Sequence, residues 1–67
     1  MPQTKQQKRK NALSKEIALL LNALVFPNLY GEEYVRTHLA TANNLRNKLG
    51  MSGWATITQF REWAENE

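Results

Sequence analysis

Residues 32–50, EEYVRTHLATANNLRNKLG, decide the fold. Val35, His38/Leu39, Ala42, Leu45 and Leu49 recur at three- and four-residue spacing, which lays one apolar stripe along an α-helix. Glu32 and Glu33 stand in its first turn, where the helix dipole favours acids, and Gly50 follows as a stop. The spacing predicts a helix over 32–49 with a seam close to a heptad. One apolar stripe needs a partner.

That partner lies upstream. Leu13, Ile17, Leu20, Leu21 and Leu24 repeat the same periodicity, with Asn11 or Ser14 able to cap and Pro27 able to stop the helix. A helix over 12–26 follows. Leu19 and Val25 widen its apolar arc, which predicts cover on more than one side, in a central position or at a dimer seam. Leu29 and Tyr30 are large for a connection and are expected to plug the core. Downstream, Thr56 and Gln59 have the form of a capping box, with Ala55 and Phe60 in the staple positions. They open a helix over 55–65 that carries Ile57, Phe60, Trp63 and Ala64 on one side. Ser52 is the rival cap and would draw Trp54 into that helix. There is neither strand alternation nor an internal repeat. The expectation is all-α: a three-helix domain over 11–67, preceded by a flexible basic N-terminal arm over 1–10.

At 67 residues the chain is one domain, near the lower limit for a self-sufficient core. It has no cysteine, so neither a disulfide framework nor a thiolate metal site can brace it. Catalysis finds no constellation: there is one histidine and no aspartate, and the glutamates cluster at helix ends. His38 reads as a packed, hydrogen-bonded residue rather than a base or metal ligand. Gly31, Gly50 and Gly53 read as turn glycines, not a phosphate-cradling loop. The expectation is a non-enzyme without cofactor or metal. The basic start before the apolar run 17–26 resembles a signal peptide, but Asn22 interrupts the run, Glu16 abuts it and no small-x-small site precedes Pro27. The run is also too short to span a membrane, so a cytoplasmic protein without a membrane partner is expected.

The charge is unevenly placed. Five of the nine basic residues (Lys5, Lys8, Arg9, Lys10 and Lys15) lie in the first sixteen positions, with Glu16 the only acid there. Closely spaced cations beside a near-neutral body point to a polyanion, through phosphate contacts and counterion release. A second candidate surface lies opposite the buried stripe of the 32–49 helix, where Thr37, Thr41, Asn44 and Lys48 align, flanked by Arg36, Asn43 and Asn47. Thr and Asn are poor helix formers, and with Arg and Lys they are the types that grip phosphates and read base edges. The plain alternative is a solvated polar face. Arg46 falls in the buried arc and is expected at the domain edge or in a dimer interface, against Glu32 or Glu62.

Two stretches resemble the helix-turn-helix domains of LuxR/GerE-type bacterial regulators. Val35-Arg-Thr-His-Leu39 is similar to the V-K-x-H-L segment of their recognition helix, and Lys48-Leu-Gly-Met-Ser-Gly53 to their K-L-G-V-S-x run. Leu13-Ser-Lys-Glu16 is similar to the start of their first helix. The resemblance implies DNA contacts by Arg36, Thr37, Thr41 and Asn44. The expected function is a small DNA-binding regulatory or accessory protein of bacterial, plasmid or phage type, acting as a homodimer, with RNA as the alternative nucleic acid. The rival reading is a protein-interaction module, an adaptor or inhibitor that docks an apolar helix face on a larger partner.

Overall fold

The computed structural model describes residues 3–66. These contain three helices and no strand: α1 Lys5–Val25, α2 Glu32–Lys48 and α3 Ile57–Glu65. The two long helices form an antiparallel hairpin. Glu16 meets His38 near mid-length, Leu24 and Val35 line one groove at the turn end, and Leu13 and Leu49 line another at the open end. Ala23 and Ala42 are buried in the body, and such small side chains let helices approach closely. Leu13, Leu20, Leu39, Ala42, Trp54 and Phe60 form the core, with Phe60 and Leu20 fully enclosed. No described helix is long and apolar enough to cross a membrane.

The end of α2 is built with care. Gly50, at φ +79°, takes the left-handed conformation that glycine adopts without a Cβ penalty. There the Met51 amide donates to the Arg46 carbonyl at 2.8 Å and the Gly50 amide to the Asn47 carbonyl at 3.1 Å. This is a Schellman motif, which satisfies carbonyls the helix would otherwise leave unpaired. The chain then turns back along α2. Asn43 donates from Nδ2 to the Trp54 carbonyl and accepts the Trp54 amide at Oδ1, both at 2.7 Å. Arg46 donates from Nε to the Ser52 carbonyl at 2.6 Å and lays its guanidinium 4.2 Å from the centre of the Trp54 ring. Trp54 is thereby held edge-on to Phe60, 4.9 Å between ring centres, and against Trp63. Thr56 caps α3 by accepting the Gln59 amide, while the Gln59 side chain accepts the Ala55 amide.

Several expectations change. Helix α1 begins at Lys5 rather than 12, so the basic segment expected as an arm is helical from Lys5 onward; its first two residues lie outside those described. The cap is Thr4, whose side chain accepts the Gln7 amide at 3.1 Å, and the Lys, Gln and Arg that follow are strong helix formers. Helix α3 opens at Ile57, two residues later than expected, and leaves Trp54 in the preceding loop. Leu29 does not plug the core; it is 75% exposed, because the turn 27–30 runs outside the hairpin. Leu21 also lies outside the buried stripe, since α3 is too short to cover the flank of α1 that carries it. Asn43 and Arg46 face the returning loop, not a solvent face or an acid: the loop carbonyls and the tryptophan ring satisfy them.

A Cβ on Gly53 would stand 2.5 Å from Asn43 Oδ1. Asn43→Ala should destabilise by about 2 kcal/mol, because it leaves polar groups of the half-buried loop without partners. Gly53→Ala should also destabilise, but its penalty should shrink in the Asn43→Ala background. A double-mutant cycle by urea unfolding should give a coupling of roughly 1 kcal/mol. Strict additivity would disprove the close approach.

Candidate nucleic-acid interface

The five cations of the first sixteen residues all sit on α1. Its 21 residues make a rod of about 32 Å at 1.5 Å per residue. Lys5, Lys8 and Lys15 fall along one side, and Lys8, Asn11 and Lys15 border a single shallow depression on the outer surface. Lys10 lies toward the open end of the hairpin, beside Leu13, Leu49 and Met51. Arg9 is half-buried and donates to the Gln6 side chain at 3.2 Å. Among the described residues, none of the five lies within ion-pair distance of a carboxylate.

Glu16 explains much of that. The one acid in this half of α1 is turned toward α2, with Oε2 2.6 Å from His38 Nδ1. His38 is fixed in turn by the Tyr34 ring, 4.3 Å away between centres, and Tyr34 by Tyr30 at 4.9 Å. The pairing leaves Glu16 half-buried against His38, and among the described residues it pairs with none of the lysines. The first turn of α1 contains no acid, so the positive end of the helix dipole and the lysine charges add.

The outer face of α2 is different. Arg36, Thr37, Thr41, Asn44 and Lys48 are all exposed, as their spacing predicts. Arg36, however, is bonded to Glu32 at 3.3 Å, one turn earlier, and the Thr41 hydroxyl donates to the Thr37 carbonyl at 3.1 Å. Glu33 is exposed in the same first turn. Glu32 and Glu33 thus offset Arg36 at the start of α2, while Lys48 stands at its far end, beyond the reach of either acid. Among the described residues, Asn44 and Lys48 have no side-chain hydrogen-bond or ion-pair partner, and they stand at the end of α2 that lies beside the basic half of α1. The ten candidate residues therefore fall on two helices. Five cations lie within about three turns of α1, with Lys10 on a different side from Lys8 and Lys15. A hydrogen-bonding strip on α2 is charge-paired at Arg36 and ends in Lys48.

The described residues contain no group of three or more acids and histidines able to hold a metal. No family model, curated protein or solved structure matches this chain.

Loss of the Glu16–His38 contact should be felt mainly as stability. His38→Ala removes a half-buried hydrogen bond and the ring packed on Tyr34, and should cost roughly 1–2 kcal/mol, read as a fall in thermal midpoint. An unchanged midpoint would show that the contact does not tie α1 to α2.

Proposed function

We propose that this protein binds duplex DNA through the basic half of α1, in a small regulatory or accessory role. The observation that carries the reading is that five cations are held on two to three turns of one helix while the neighbouring acid is drawn away by His38. A helix with unopposed cations and the positive end of its dipole at the same place attracts phosphates from any direction. The cations also repel one another and the dipole, so phosphate contact relieves a cost already present in the fold.

Duplex is favoured over single strands by what surrounds the cations. Single-strand binders stack bases on exposed aromatic rings beside a basic groove. Here Tyr30, Tyr34, Trp54 and Trp63 are packed against other side chains, and exposed Phe26 stands at the other end of α1. A backbone-gripping mode, with Asn44 and Lys48 set to adjust register, suits duplex DNA. The similarity of residues 35–39 to a LuxR/GerE recognition helix is a second support for DNA as the partner. Of the residues it implies, Asn44 stands nearest the basic half of α1, and Arg36 and Thr37 lie toward the other end of the hairpin.

The test is fluorescence anisotropy on random-sequence duplex DNA across a salt series. The logarithm of affinity should fall with log salt by about 0.9 for each phosphate neutralised. Lys8→Gln with Lys15→Gln should flatten that slope by roughly two phosphate equivalents, while Asn44→Ala leaves it unchanged. A slope near zero for the full chain, or one indifferent to the lysine substitutions, would sink the proposal.

A further inference from the structure

The end of the molecule away from the cations carries most of the large exposed hydrophobic side chains among the described residues. Ala18, Leu21 and Val25 recur at three- and four-residue spacing on a flank of α1 that neither α2 nor α3 covers, and Val25 is 67% exposed. Leu21 and Val25 share a shallow groove with Ala64 of α3, and Phe26 and Leu29 extend the apolar surface onto the adjoining turn. Among the described residues, four of the five large exposed hydrophobic side chains therefore stand at this one end.

We propose that this face is a docking site for a second copy of the chain, paired about a two-fold axis. Two observations select that occupant. The first is charge. The groove is rimmed by one cation and one acid, Arg61 and Glu65, four residues apart on α3, both exposed and neither ion-paired among the described residues. A two-fold contact is isologous: what one copy presents, it meets reversed in the other. Antiparallel apposition sets Arg61 opposite Glu65 of the partner subunit, and the reciprocal pair forms by symmetry. A rim of balanced sign offers no advantage to a polyanion or to a strongly charged protein segment.

The second is area. The chain exposes 5053 Å². A compact monomer of 7.7 kDa exposes about 4300 Å², so roughly 700 Å² is in excess. Standard interfaces bury about 800 Å² per partner, so the excess is of the size one stable contact removes. Part of it belongs to the polar start of α1, and Leu21, Val25, Phe26 and Leu29 contribute exposed apolar area at the other end. Small Ala18 and Ala64 let the opposing helices approach closely. The pairing leaves the basic half of α1 uncovered, so it does not depend on the DNA reading.

Sedimentation equilibrium of the full chain without nucleic acid, over a concentration series, tests the proposal. The chain is expected to be a reversible dimer. Val25→Lys, chosen because a cation suits a helix C-terminus, should weaken the dimer at least ~10-fold with the helical circular dichroism retained. Arg61→Glu and Glu65→Arg should each weaken it, and the two together should restore much of the loss, because the exchanged charges again face their opposites. Monomer at every concentration overturns the proposal, as does a dimer that withstands both Val25→Lys and Arg61→Glu. Should Val25→Lys lose helix, the charge-exchange set decides alone, since Arg61 and Glu65 are exposed and outside the core.

Discussion

The second half of this chain is organised by one side chain and the groups that hold it. Trp54 lies in a loop, not in a helix, yet it is buried and touches Phe60 and Trp63 of α3. A loop residue reaches that position only if its backbone polar groups are satisfied, because an unpaired buried amide costs as much as a lost hydrogen bond. Asn43 supplies both partners from one side chain, and Arg46, one turn on, clamps the Ser52 carbonyl and covers the ring. Gly53 is small because the asparagine carbonyl occupies the space a Cβ would need. Without this bracket, α3 would have only a few apolar contacts to hold nine residues in place.

The bracket also determines what α2 can offer a ligand. A helix of seventeen residues has one side on α1, and here Asn43 and Arg46 commit part of a second side to the loop. What remains is the strip from Arg36 to Lys48, whose charge at the Arg36 end is offset by Glu32 and Glu33. The acids suit the start of α2 because of its dipole, and that stabilising choice removes field from the outer face. On α1 the choice runs the other way: its first turn lacks acids, and its one nearby glutamate is bonded to His38. Local helix stability is reduced at α1, and electrostatic reach is gained.

The three helices were legible because apolar spacing is a direct readout of which face is buried. Thr56–Gln59 and Gly50 were legible because a cap and a left-handed stop demand particular residue types. The start of α1 was not, since Gln and Lys suit a helix and a solvated arm equally, and only the Thr4 cap separates the two. Asn43 and Arg46 were misread for a shared reason. Helical angle places a side chain on a face, but it cannot say that a loop six to eleven residues later returns to cover that face. Leu29 and Leu21 failed conversely: their apolar character foretold cover, and the chain supplies none at that end.

That surplus apolar surface bears on how so small a chain persists folded. Among the described residues only seven hydrophobic ones are buried, and the sequence has no cysteine to form a disulfide. A core of this size leaves a margin of only a few kcal/mol against the conformational entropy of the chain. Association of two copies through the Leu21–Val25 end would extend the buried apolar area where the single copy has run out of helix to cover it. The stability gained that way depends on concentration, because mass action links folding to pairing. The basic end of α1 obeys the same rule with a different partner: its like charges cost stability in the free chain, and bound phosphates remove that cost. The two ends of α1 are thus complementary in kind. Each is locally unfavourable in isolation, one through exposed hydrocarbon and the other through crowded charge, and each is relieved by a contact that leaves the other end free.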